Sequence, residues 1–122
     1  MATRTKRAGK KLDNAMRTKT VRLKPLKLPA SYDTPCGPVT IVGVDEIPAP
    51  DGEVTYGRWC WGERRIEIVN GLSAETQWFI FHHEVTHQQL EDGGVRLPDD
   101  QLEQVCDCIA QARVAAMRSA GV

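Results

Sequence analysis

The chain has 122 residues, of which 41% are hydrophobic and 26% charged, a composition typical of one soluble domain. No apolar run is long enough to cross a bilayer, and the basic N-terminus lacks the apolar segment of a secretory signal. We therefore expect a cytoplasmic protein with no membrane partner. The formal net charge of zero hides an asymmetry between the start of the chain and the rest.

The first predicted unit is a basic arm over residues 1–30. It holds ten Lys or Arg and a single acidic residue, Asp13, which gives a net charge of +9. With so few apolar residues this arm is expected to be flexible. Such a charge can bind nucleic acid, an acidic partner or the acidic remainder of the chain. Residues 31–122 hold six basic and fifteen acidic residues, a net charge of −9, and form the predicted folded domain.

Three β-rich segments follow the arm, each bounded by turn residues. They are Val39–Val44, Val54–Cys60 and 64–69, the last with the sequence RRIEIV. Only three residues, Trp61-Gly-Glu63, separate the second segment from the third, which predicts an antiparallel hairpin. We therefore expect a small antiparallel sheet of three strands.

Two helices are predicted after the strands. Ser73 is a suitable N-cap for the first, which runs from about Ala74 to Glu91 and ends at a Gly pair. Pro98-Asp-Asp100 opens the second, with one Asp as the expected cap. The predicted class is α+β, with the sheet packed against the first helix and the C-terminal helix following it.

The first helix carries the motif His83-Glu-Val-Thr-His87. Residues at i and i+4 lie on one face of a helix, so both imidazoles can bind one cation, and Zn²⁺ accepts imidazole nitrogen. Glu84 is next to the first ligand and can reach a water activated by the metal, which is the place for a general base. His82 lies about 100° around the helix from His83, so we do not expect it to be a ligand.

A catalytic zinc site needs a third protein ligand. Glu103 is the best candidate, because an antiparallel return of the second helix brings it back to the two histidines. Asp107 follows one turn later and can accept a hydrogen bond from the free N–H of a ligating histidine, with His83 as the favoured donor. The alternative for both acids is a solvated helix carboxylate. Glu91 and Asp92 are weaker ligand candidates near the end of the first helix.

The combination of His83-Glu-x-x-His87 with Glu103-x-x-x-Asp107 resembles the gluzincin pattern of zinc peptidases. The short chain, with a small sheet before the motif helix, is similar to the minigluzincins and the ImmA/IrrE-like peptidases of bacteria and their phages. The resemblance covers roughly residues 38–118. It implies a metallopeptidase in which His83, His87 and Glu103 bind zinc. It further implies that Glu84 is the base and that Asp107 orients the first histidine. By the same analogy, the strand over residues 64–69 lies at the sheet edge and holds a peptide substrate.

Candidate oxyanion donors are Tyr56, His82 and Arg96, with nothing to choose between them. The four cysteines fit no zinc ribbon and are expected to be small buried side chains; they are Cys36, Cys60, Cys106 and Cys108. The main alternative function is a nucleic-acid-associated binding protein that uses the basic arm and has a structural or non-proteolytic zinc site. An amidase that does not cut peptides would use the same metal chemistry.

Overall fold

The computed structural model describes residues 2–5, 28–49 and 51–121. Within these ranges five strands precede two helices. The strands are β1 (Ala2–Thr5), β2 (Ser31–Tyr32), β3 (Val39–Val44), β4 (Gly57–Cys60) and β5 (Arg65–Val69). The helices are α1 (Ala74–Asp92) and α2 (Asp99–Ser119). Neither of these helices is long and apolar enough to cross a membrane.

The five strands form one mixed sheet in the order β1-β4-β5-β3-β2. The α+β class is therefore confirmed, whereas the three-stranded antiparallel sheet is wrong in its pairing. The hairpin of β4 and β5 is antiparallel, with Trp59 opposite Ile66, but β3 pairs with β5 in parallel, with Ile41 opposite Ile66. The hairpin leaves only one edge of β5 open. The chain between β3 and β4, residues 45–56, is long enough for β3 to take that edge in the parallel direction.

The order of the strands also corrects the expected position of β5. This strand lies between β4 and β3 and is hydrogen-bonded on both sides, so it is not a sheet edge. The edge strands of the described sheet are β2 and β1. Four residues of the predicted arm form β1, which runs antiparallel to β4 with Thr5 opposite Gly57. Residues 6–27, the larger part of the predicted arm over 1–30, lie outside the described residues.

The core lies between the sheet, α1 and α2. Its fully buried side chains include Trp59 and Ile66 from the sheet, Phe79 and Ile80 from α1, and Val114 from α2. Burying such large apolar side chains stabilises the fold by about 1.5–3 kcal/mol each. Helix α1 is therefore covered by the sheet on one side and by α2 on another.

Both helices begin close to their predicted residues. Ser73 caps α1, because its Oγ accepts a hydrogen bond from the Thr76 amide at 3.2 Å. The expected Asp cap of α2 is wrong. The N-cap position is taken by Pro98, which makes no side-chain capping bond, and Asp99 and Asp100 lie inside the first turn. There they still favour the helix, because acidic side chains complement the positive end of its dipole.

The two helices run antiparallel. Arg118 near the end of α2 donates to Glu75 near the start of α1 at 2.6 Å, and both side chains are largely buried. This ion pair and the apolar contacts between the helices fix their register. As a result, the middle of α1, which contains the two motif histidines, faces the first turns of α2.

Candidate metal centre

The two motif histidines lie one turn apart on α1 and face the interior. The whole-residue exposure is 0% for His83 and 2% for His87. Their Nε2 atoms are 3.2 Å apart. This geometry follows directly from the i, i+4 spacing on a helix. Two buried imidazole nitrogens at this distance need a shared proton, an anion or a cation between them.

Glu103 on α2 supplies a carboxylate to the same point. Its Oε2 lies 2.6 Å from His87 Nε2, and its Oε1 lies 3.4 Å from His83 Nε2. The Glu103 side chain is 38% exposed, so the cluster is buried on the α1 side and open to solvent at the carboxylate. The structure thus brings together His83, His87 and Glu103, the three residues that the sequence predicted as ligands.

The spacing of these three donor groups fits a tetrahedral divalent cation. Bonds of about 2.0–2.1 Å to a tetrahedral zinc ion place its ligand atoms roughly 3.3 Å apart. The separations of 3.2 Å and 3.4 Å that involve His83 lie at this value. The 2.6 Å separation between His87 and Glu103 is that of a hydrogen bond and would have to lengthen. The residues present therefore fit a zinc ion after a small movement of one carboxylate.

Asp107 lies behind His83. Its Oδ1 is 2.7 Å from His83 Nδ1, the ring nitrogen that points away from the cluster. Neither atom has a well-aligned hydrogen-bond partner within the described chain, so this contact is close but imperfectly directed. A carboxylate in this position favours a proton on Nδ1 and leaves Nε2 as the nitrogen that can bind a metal.

The electrostatics of the cluster shift the pKa values of its members in opposite directions. Burial by itself would lower the pKa of the His83 imidazole, but Asp107 and Glu103 outweigh it and raise that pKa from 6.5 to about 10. Burial by itself would raise the pKa of Glu103, but hydrogen bonds from His83 and His87 lower it from 4.5 to about 2. Without a metal, His83 is thus a cation held by two carboxylates.

Cys106 is a neighbour that the sequence interpretation did not count as a ligand. Its thiol and one nitrogen from each of His83 and His87 all lie within 4.8 Å of one another. Burial, together with the charges of Glu103, Glu84 and Asp107, raises the pKa of the Cys106 thiol far above its usual range. The signal for this position was available in the sequence, because Cys106 follows Glu103 at i+3 and shares its helical face.

The remaining cysteines only partly follow the prediction of buried side chains. Cys60 is buried like Cys106, but Cys36 and Cys108 are exposed. For Cys108 the reason is helical geometry, because a residue at i+2 from the buried Cys106 points to a different face of α2. All four cysteines are free thiols.

Glu84 occupies the space between α1 and the sheet. The residue is fully buried, and it lies under β4 at Gly57. A Cβ added to Gly57 would come within 3.3 Å of Glu84 Oε2 and would overlap Ile80. The absence of a side chain at Gly57 therefore gives the Glu84 carboxylate its place beneath the strand.

The weaker ligand candidates are engaged elsewhere. Glu91 accepts a hydrogen bond from Trp59 Nε1 at 2.6 Å. Asp92 accepts two hydrogen bonds from the Arg64 guanidinium, at 3.1 Å and 2.9 Å. Both acids join α1 to the β4–β5 hairpin, and within the described part of the chain neither contacts His83 or His87. Their position at the C-terminal end of α1 explains this, since the hairpin turn packs there.

Of the candidate oxyanion donors, His82 points away from the cluster of His83, His87 and Glu103. Its Nε2 is 3.3 Å from Met117 Sδ, and its ring packs against Trp78 and Phe81. Burial, with a smaller effect of Arg113, lowers the pKa of His82 to about 4, so the ring is neutral near pH 7. Tyr56 is half-buried and Arg96 is exposed, and no described contact joins either to His83 or His87.

Comparison of the chain with protein-family models, with curated proteins and with solved structures finds no match. The assignment of a function therefore depends on the arrangement of these side chains.

Proposed function

We propose that this chain is a zinc-dependent metallopeptidase of the gluzincin type, similar to the minigluzincins and ImmA/IrrE-like peptidases. The observation that supports the proposal is the convergence of two helical histidines and one carboxylate from the next helix, all within 3.4 Å. An acid in contact with His83 Nδ1 completes the pattern. This is the ligand chemistry of catalytic zinc, with three protein donors and room for one more.

Each residue has a defined part in this proposal. His83, His87 and Glu103 hold the metal, and Asp107 keeps the proton of His83 on Nδ1. When bound, zinc supplies Lewis acidity and lets water ionise near neutral pH, with a pKa of about 7. The open side of the cluster at Glu103 is where a peptide carbonyl would approach.

Glu84 moves the proton in the proposed reaction. Its carboxylate takes a proton from the water whose oxygen attacks the peptide carbonyl carbon. When the C–N bond breaks, the same carboxyl donates that proton to the leaving amine, so Glu84 ends the cycle ionised. The buried position beneath Gly57 suits this part, because a fixed carboxylate in a low-dielectric site needs little reorganisation.

The test is the substitution Glu84→Gln, which keeps the size of the side chain and removes the base. We expect zinc content equal to that of the parent and a loss of peptide hydrolysis on the order of 10²–10⁴-fold. A soluble peptide library, with cleavage followed by mass spectrometry, measures the second quantity. Glu91→Gln is the matched control, because it makes the same change two helical turns further along α1, where the residue is exposed and accepts a hydrogen bond from Trp59 Nε1. It should leave both the zinc content and peptide hydrolysis unchanged. Cleavage by Glu84→Gln at the parent rate would exclude the mechanism.

A further inference from the structure

Strand β4 packs against Glu84. Gly57 begins this strand and lies directly over the Glu84 carboxylate and Ile80. On its inner side β4 is paired with β5, so only its outer side can accept another strand. The other edge of the described sheet, β2, is separated from β4 by β5 and β3.

An extended peptide binds most readily at such an edge. Unpaired backbone N–H and C=O groups of an edge strand form hydrogen bonds with a peptide that adds to the sheet. An added strand at β4 would pass Gly57 and hence the buried carboxylate beneath it. The position predicted from the sequence for a bound peptide, strand β5, is excluded because both of its sides are paired.

In the structure this edge is already occupied by the chain itself. The backbone of β1 pairs antiparallel with β4 over the register Ala2–Cys60, Thr3–Trp59, Arg4–Arg58 and Thr5–Gly57. Every residue of β4 has a partner in β1, so no part of the strand is free to pair with a second peptide. Helix α1 also contacts β1, which places the segment over the same helix that carries Glu84.

We propose that Ala2–Thr5 competes internally with peptides for the edge of β4, so that a substrate binds there only after this segment has left. The inference rests on the proposed peptidase function for the identity of the competing ligand. A covalently tethered segment has an effective concentration on the order of millimolar. A free peptide at micromolar concentration therefore loses the competition until β1 is displaced.

Two variants remove the internal competitor. The pair Thr3→Pro and Arg4→Pro deletes two successive amide donors, and because successive amides point to opposite sides, one of them must face β4. The matched control is Thr3→Ala with Arg4→Ala, which makes the same loss of side chains and charge but keeps both donors. A second variant lacks residues 2–5 altogether and does not depend on how well the prolines disrupt the pairing.

The probe is a fluorescent peptide with the sequence of residues 1–8, Met-Ala-Thr-Arg-Thr-Lys-Arg-Ala. Its affinity is measured by anisotropy in the Glu84→Gln background, so that the probe is not consumed. We expect the proline pair and the deletion variant to bind the probe at least tenfold more tightly than the parent and the alanine pair. Equal binding by the parent and the deletion variant would overturn the inference.

The outcome is separable from that of the proposed function. The binding measurement needs no hydrolysis, so a tenfold gain in affinity supports the competition even if the chain with Glu84 intact cuts no peptide; that result would overturn the peptidase function alone. If the chain cuts peptides but the deletion variant gains no affinity for the probe, the peptidase function stands and the internal competition is wrong.

Discussion

Glu103 and Cys106 both bring a ligand atom close to the two histidines. The two side chains differ in protonation state. Glu103 is ionised at every pH above its pKa of about 2. The thiol of Cys106 is held protonated by burial and by the surrounding carboxylates. A metal would have to remove a proton from Cys106 in a negatively charged pocket, whereas Glu103 is ready to bind. We therefore propose Glu103 rather than Cys106 as the third ligand.

This assignment predicts unequal effects of two conservative substitutions. Glu103→Gln should weaken zinc binding by more than about 100-fold, because it removes the only charged donor among the three ligands. Cys106→Ser should change zinc affinity by less than about threefold, since a protonated thiol makes no bond to the metal. Competition with a fluorescent chelator measures both affinities under the same conditions.

Glu103→Gln also has a control in the same helix. Gln104→Glu adds charge beside the site without removing a ligand and should not reproduce the loss. If Cys106→Ser proved the more damaging substitution, the metal would be held by two histidines and a cysteine, and the gluzincin pattern would no longer apply.

At the scale of elements, the contact between β4 and α1 depends on one glycine. Gly57→Ala places a methyl group on Ile80 and against Glu84, so the strand and the helix must move apart. We expect a loss of unfolding free energy of about 1–3 kcal/mol, as for an overpacked core. Gly62→Ala, in the hairpin turn, is the control, because an added Cβ there meets nothing within 4 Å. Urea denaturation compares the two; equal stability of Gly57→Ala and the parent would contradict the close packing.

Local signals account for the elements that the sequence predicted. The cap at Ser73 and the Gly pair after Asp92 define the ends of α1, and a three-residue turn defines the hairpin. The pairing of β3 with β5 is different, because it joins strands that are not neighbours in sequence and leaves no local pattern. The segment Ala2–Thr5 likewise has no alternation of apolar and polar residues, and its strand exists only because β4 offers an open edge.

The residues of the candidate site also fall into two groups, those that helix geometry predicts and those that depend on tertiary packing. His83 and His87 are predictable because helical geometry alone brings them together, and Glu103 and Asp107 because the return of α2 is antiparallel. The buried position of Glu84 beneath Gly57 depends on how the sheet packs against α1. No property of one element specifies that contact. No such geometric argument applied to the oxyanion candidates Tyr56 and Arg96, and no described contact joins either of them to the histidines.

At the scale of the whole molecule, the cluster joins the two helices through groups that carry charge. In the metal-free chain, His83 has a raised pKa, so its contribution to stability is complete below about 6.5 and is lost as the pH rises towards about 10. Glu103 has a lowered pKa, so its contribution is complete above about 4.5 and is lost as the pH falls towards about 2. Between these limits the ion pairs hold α1 against α2 without a metal.

On the proposed ligand set, zinc and the proton on His83 would exclude one another, because only the neutral imidazole can bind a metal through Nε2. Below a pKa of about 10 each unit of pH would therefore change zinc affinity about tenfold through this residue alone. A metal that binds only the folded chain stabilises it by RT ln(1 + [Zn]/Kd). A hundredfold gain in zinc affinity between pH 6 and pH 8 therefore adds about 2.7 kcal/mol to the free energy of unfolding when zinc is in excess.

We therefore expect zinc to raise the Tm by several degrees more at pH 8 than at pH 6, with EDTA-treated protein as the reference at each pH. Differential scanning calorimetry gives the four Tm values, with zinc and after EDTA treatment at each pH. In Glu103→Gln the increment should be small at both values, because the affinity is lost before any proton is displaced. A zinc-induced increment that is present at pH 6 but no larger at pH 8 would mean that His83 is already neutral in the metal-free chain. In that case the two carboxylates around it would not be holding a cation.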